Sequence, residues 1–165
     1  MNISNINNDI YLGGLGNHST EEIKNFLIDN NIKCIITIWN FNKLNIKKLN
    51  INVKDYMYIH AYDLTNEIII DYFDITNKFI INKIKEGKKV LIHCYAGISR
   101  SASIVINYFM NKYNINYDEA EKIVSKKRNI KPNIFFILQL KFYNSYKNIN
   151  IIYLIILFAI RYTLK

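Results

Sequence analysis

The chain predicts an α/β domain in which a mostly parallel central sheet is flanked by helices, and three observations predict it. Short apolar runs of strand character alternate with longer stretches of helical periodicity. Half of the 165 residues are hydrophobic, ample for a buried core in a domain of this length. No internal repeat or flexible linker interrupts the alternation.

Taken in order, Ser19-x-x-Glu22 reads as a capping box that opens a helix running to about Asp29. Ile32 to Trp39 is rich in β-branched residues and has no helical period, so it reads as a strand. A strand over 56–61 and a helix over 68–85 follow, with Gly87 as the break before a strand over 89–93. Helical patterns then cover 99–112, 117–128 and 134–146, with Pro132 punctuating the last two.

The decapeptide from His93 to Ala102 carries the chemistry. Lys89-Val90-Leu91-Ile92 delivers one thiol, Cys94, and one guanidinium, Arg100, to a strand-to-helix turn, six positions apart. Such a turn can aim successive backbone N–H groups and a helix N-terminus at one point, forming a concavity suited to a phosphate. The same field favours a thiolate, which makes Cys94 a candidate nucleophile. Arg100 can bind two phosphate oxygens with its planar fork, and Gly97 lets the backbone bend closely around the anion. Ser99 and Ser101 add hydroxyls that can hold the loop or donate to the sulfur.

His93-Cys94-x-Ala96-Gly97-x-Ser99-Arg100-Ser101 resembles the signature of the cysteine-dependent dual-specificity protein phosphatases, a branch of the protein tyrosine phosphatase superfamily. The resemblance runs from about Ile10 to Tyr146. Ile10-Tyr11-Leu12-Gly13 is similar to the family's opening strand, and Ile68 to Ile81 to the helix before its phosphate loop. Arg128-x-Ile130-x-Pro132-Asn133, followed by Phe136 and Gln139-Leu140, is similar to the segment leading into its last helix. Phe135 departs from the pattern, since relatives usually carry Gly there. The resemblance implies Cys94 as nucleophile and Ser101 and Arg100 in catalysis. It also implies a phosphate site built from Tyr95, Ala96, Gly97, Ile98, Ser99 and Arg100, with His93 as structural support. No metal or other cofactor is required by that chemistry.

A serine or threonine alkoxide is a poor leaving group and must be protonated as its P–O bond breaks. Asp63 fits that role best. It follows the strand that ends at Ala61, at the sheet edge where open α/β folds place their ligands, and its spacing from Cys94 also resembles the family's. Glu67, Asp71 and Asp74 fall in or beside the next helical pattern and read as exposed helix carboxylates.

The formal charge of +9 suits an anionic substrate. Lys43, Lys47, Lys48, Lys126, Lys127 and Lys131 read as solvated faces rather than a patch, so nucleic-acid binding is not expected. Two cysteines are no disulfide scaffold. With no secretory signal they point to an intracellular setting, cytoplasmic and/or nuclear. Asn2 in place of Gly and the ending Arg161-Tyr162-Thr163-Leu164-Lys165 encode neither myristoylation nor prenylation. Cys34 reads as a core thiol, with a redox partnership with Cys94 as the alternative.

Two regions are expected: a catalytic domain over 1–147 and an apolar tail over 148–165. Ile151 to Ile160 is apolar throughout, yet as a helix it would span only about 15 Å, half a bilayer core. Three readings stand: a helix or strand packing on the domain, a membrane or partner-binding anchor, or a truncated or alternative C-terminus of a longer protein. The functional expectation is a protein phosphatase for phosphotyrosine and phosphoserine/threonine, acting on phosphorylated protein substrates. The alternatives are a phosphoinositide phosphatase and a non-catalytic phospho-binding module. The first usually places lysines in the phosphate loop, where this chain has Tyr95, Ala96, Ile98 and Ser99. The second needs no nucleophile.

Overall fold

The structure, a computed structural model, describes residues 1–41, 43–50 and 52–148. The apolar tail from 149 onward lies outside the described residues, so the division into two regions rests on sequence alone. Five strands, β1 (Ile3–Asn5), β2 (Ile10–Gly14), β3 (Ile32–Trp39), β4 (Asp55–His60) and β5 (Lys89–Cys94), form one sheet in the order β1-β2-β5-β3-β4. All neighbours pair in parallel except β1, which runs antiparallel to β2.

The alternation of side chains along each strand divides the core into two layers. Ile10, Leu12, Cys34, Ile36, Ile38, Val90 and Ile92 face one way. They pack with residues of α3 (Phe73–Lys85), α4 (Arg100–Tyr113), α5 (Tyr117–Ser125) and α6 (Ile134–Asn148). Tyr11, Ile35 and Leu91 face the other way, toward Ile23 and Leu27 of α1 (Thr20–Asp29) and Leu49 of α2 (Ile46–Leu49). Covered on both faces, β3 and β5 can be apolar throughout, which is why neither shows a one-sided pattern.

The Ser19 capping box is formed: Glu22 N–H donates to Ser19 Oγ, and Ser19 N–H to Glu22 Oε2. β3 has the bounds expected of it. The stretch expected as one helix over 68–85 opens as a 3₁₀ turn, Ile69–Tyr72, before α3 begins. There the Ile70 N–H donates to Gln139 Oε1 on α6, so this turn is tied to a neighbouring element. α5 ends at Ser125 rather than 128, and Arg128, beyond the helix, reaches the Gly97 carbonyl in the loop after β5. β1 and α2 were not expected. Three and four residues long, they are too short to show a period.

Candidate active site

The parallel strands β2, β5, β3 and β4 end at Gly14, Cys94, Trp39 and His60, and the site is assembled from the residues just at or beyond those ends. β5 is central and buried along nearly its whole length, which fixes where Cys94 emerges. Cys94 itself is 1% exposed. Its Sγ accepts hydrogen bonds from the Gly97 N–H and the Ser101 hydroxyl, each at 3.2 Å, the pattern of donors that suits a thiolate.

The loop 95–99 is held entirely from behind. Cys94 O accepts from Leu15 N–H at 3.1 Å, Tyr95 O from Gly16 N–H at 3.0 Å and Ile98 O from Lys131 N–H at 2.8 Å. Arg128 supplies two further donors, Nε to Gly97 O at 2.7 Å and Nη2 to Ala96 O at 3.1 Å. Asn2 Nδ2 also donates to Ala96 O. Every carbonyl from Cys94 to Ile98 is thereby turned outward. In planar trans peptides the following N–H points the opposite way, so the loop amides face the concavity above Sγ. The packing leaves no slack. Gly97 sits at φ +72°, and a methyl added there would lie 2.2 Å from the Gly13 carbonyl carbon. One added to Gly14 would lie 2.3 Å from the Ala96 carbonyl carbon.

Arg100 opens α4 and is 7% exposed. Its Nη1 donates to Asn40 Oδ1 at 2.9 Å and to Ala61 O at 3.2 Å, which fixes the guanidinium plane. Nε is buried and makes no hydrogen bond among the described residues, and Asp63 Oδ2 lies 3.6 Å from it. Asp63 stands on the exposed loop after β4, with a third of its side chain open to solvent. Its Oδ1 accepts from Ser99 Oγ at 2.7 Å and from Asn133 Nδ2 at 3.5 Å. Among the described residues, Asp63 is the one carboxylate paired with Arg100. Glu67 instead accepts from Tyr62 N–H, Asp74 from the Tyr143 hydroxyl, and Asp71 is exposed.

His93 is fully buried, with Nε2 2.7 Å from Thr37 Oγ1 and Nδ1 3.4 Å from Cys94 O. Burial pushes it down to about 4, the contact with Cys94 O opposing this only in part, so it stays neutral near pH 7. It supports the loop without lending charge to Cys94. Cys34 pairs in register with Val90, four residues before Cys94, or about 13 Å along the strand at ~3.3 Å per residue. A disulfide needs Cα atoms within about 7 Å, so the two thiols cannot bond in this fold. Burial, and next the Asp55 carboxylate, push Cys34 up to about 11. Among the described residues no three His, Cys, Asp or Glu side chains gather closely enough to hold a metal ion.

Tyr95 and Ile98, the variable loop residues, stand half exposed at the mouth; Tyr95 packs edge-on against Trp39 and donates to Asn17 Oδ1. Four residues that complete the site were not assigned a role from sequence: Asn2, Asn40, Arg128 and Asn133. Arg128 and Asn133 lie in the stretch 128–133 that carried the resemblance, so their positions were marked though their partners were not. Asn2 and Asn40 give no local signal in a chain this rich in asparagine.

The model of the dual specificity phosphatase catalytic domain matches residues 10–146. This chain belongs to that family. A probable dual specificity protein phosphatase of Dictyostelium discoideum is 49% identical over 92 residues, 53% of this chain and 22% of that protein. The domain thus spans about a fifth of the length of that curated relative. Among solved structures, the PTP-2 phosphatase of Cydia pomonella superposes with a TM-score of 0.79 at 31% identity. That match covers 85% of this chain and 88% of the other. The human tyrosine phosphatase-like serine/threonine/tyrosine-interacting protein gives 0.78 at 34% identity, covering 88% and 97%. The α/β architecture expected of this phosphatase-family domain is therefore the one its relatives share. No helix among the described residues is long and apolar enough to cross a membrane.

Proposed function

We propose that this domain is a protein phosphatase that hydrolyses phosphotyrosine and phosphoserine/threonine through a cysteinyl-phosphate. The observation that carries the reading is the buried Arg100 Nε, without a hydrogen-bond partner among the described residues, at the end of a thiol-bearing loop that turns its amides inward. A phosphate group supplies what each of these lacks. It gives Nε a nearer acceptor than Asp63 Oδ2 and gives the loop N–H groups an anion.

In the first step the Cys94 thiolate attacks phosphorus. An S–P bond forms as the P–O bond breaks, and Asp63 gives its proton to the leaving oxygen. In the second, ionised Asp63 takes a proton from water, whose oxygen displaces the sulfur and restores the thiolate. Arg100 and the loop amides hold the equatorial oxygens through both transition states. Ser101, donating to Sγ, stabilises the departing thiolate. The half-exposed mouth, with Tyr95 and Ile98 at its edge, supports acceptance of both kinds of phosphoresidue. No lysine lies between Cys94 and Arg100, which favours phosphoprotein over phosphoinositide substrates.

Phosphate release from a phosphotyrosine peptide, a phosphothreonine peptide and a soluble phosphoinositide tests this, together with acid-quench trapping of radiolabelled phosphate on Cys94. Both peptides should turn over and label should appear on the cysteine. Turnover of the phosphoinositide alone would replace the reading with the lipid one. Binding of the peptides without turnover would leave a phospho-binding module.

A further inference from the structure

A groove of about 510 Å³ opens from the candidate active site along the start of α6. Asp63 and Ser99 of the site line it, together with the apolar side chains of Ile98, Ile134 and Ile137 and the exposed Lys131. Ile134 is 60% exposed and Ile98 is 41% exposed, so their carbon surface meets water in the free protein. The walls are fixed in place. Lys131 N–H donates to Ile98 O at 2.8 Å, and Asn133 N–H to Ser99 Oγ at 3.1 Å.

Asp63 and Ser99, hydrogen-bonded to each other at 2.7 Å, belong to both the candidate active site and this groove, so a peptide whose phosphate reaches Cys94 lays the residues beside its phosphorylated one against the groove. In an extended peptide, successive side chains point to alternate sides, so one neighbouring position faces the isoleucines. The walls offer carbon, and a preformed groove adds affinity without an ordering cost. Lys131 disfavours a basic side chain there.

We propose that this groove sets substrate choice by taking a bulky apolar side chain from a residue flanking the phosphorylated one. The proposal rests on the phosphoprotein reading of the same site. Phosphotyrosine peptides carrying Leu, Ser or Lys in turn at each of the two positions on either side would test it, using the full chain. Each kcat/KM is read as a ratio to hydrolysis of an aryl phosphate by the same variant. At one position Leu should exceed Ser about tenfold, with Lys lowest, the gain expected from partly burying one large apolar side chain. Ile134→Glu should erase the Leu preference and Lys131→Glu should lift the discrimination against Lys. The second variant changes an exposed residue and keeps the test valid if the first fails to fold.

Equal rates at all four positions, or a Leu preference that survives Ile134→Glu, would overturn the proposal. So would a preference that emerges only when Leu154 and Leu157 are both changed to Glu, since the occupant would then be this chain's own terminal segment. Aryl phosphate turnover with no hydrolysis of any peptide would remove the phosphoprotein reading and the groove with it.

Discussion

The two halves of the site are held in opposite ways. The phosphate loop is braced through its backbone: donors from Leu15, Gly16, Lys131, Arg128 and Asn2 occupy its carbonyls, and glycine faces leave no room for a methyl. The acid loop is exposed and held mainly by side chains, with Ser99 and Asn133 on Asp63, Asn133 on the Leu64 carbonyl and Glu67 on the Tyr62 N–H. The difference matches the demands of the role proposed for each. An anion cradle stabilises a transition state by being in place beforehand, whereas a proton donor must change charge and exchange partners within one turnover.

Cys94→Ser would break the cradle's chemistry without touching its bracing, and should cost on the order of 10⁵ in the rate on an aryl phosphate. Residual activity above about 1% of wild type, with an unchanged circular dichroism spectrum, would rule out the nucleophile. Asp63→Asn acts on the other half. It should cost roughly 10³ on a phosphothreonine peptide and far less on an activated aryl phosphate, whose leaving group needs little protonation. Equal losses on the two substrates would move the acid role elsewhere.

The bracing itself can be removed. Arg128→Met takes donors from the Ala96 and Gly97 carbonyls and should lower stability by about 2–3 kcal/mol, read by urea unfolding. It should also slow both substrates alike, because the cradle serves both steps. The counterpart on the acid side, Asn133→Ala, should cost about 1 kcal/mol and slow only the poor leaving group. A variant pair with the reverse pattern would dissolve the distinction between the two halves.

A further effect concerns pH and stability alone. An unfolded chain protonates His93 near 6.5, whereas the buried ring holds out to about 4. The unfolded state therefore binds the extra proton between these values, and stability is full above about 6.5 and falls as pH drops toward 4. Unfolding at pH 7 and pH 5 should differ by about 2 kcal/mol from this group. His93→Asn should flatten the difference, and an unchanged slope would assign it to other groups.

Much of this was legible in the sequence because it is local. The strand-Cys-Gly-Arg turn places the proposed nucleophile, its loop and the arginine within one short segment, and β3 and the capped α1 carry their own start and stop signals. Asp63 was reachable through its place after a strand. The pairings that finish the site join distant segments. Nothing around Asn40 announces that its amide oxygen will meet Arg100, and nothing around Arg128 that it will leave α5 for the Gly97 carbonyl. The 3₁₀ opening before α3 was hidden for the same reason, since its partner is Gln139 on α6. The Cys34–Cys94 alternative needed a distance, which only the β3–β5 register supplies.

Arg128 has a consequence for the order in which the domain comes to life. The thiol is made before its loop can be braced: the Asn2 side chain that meets the Ala96 carbonyl is already present, but the Gly97 carbonyl waits for a side chain 31 residues downstream. A nascent chain that has extruded Cys94 and Arg100 still lacks the clasp that shapes the space between them. The proposed activity is therefore a late reporter. During refolding it should return with the docking of the Asn2 and Arg128 side chains, after the central strands have already regained their far-ultraviolet signal.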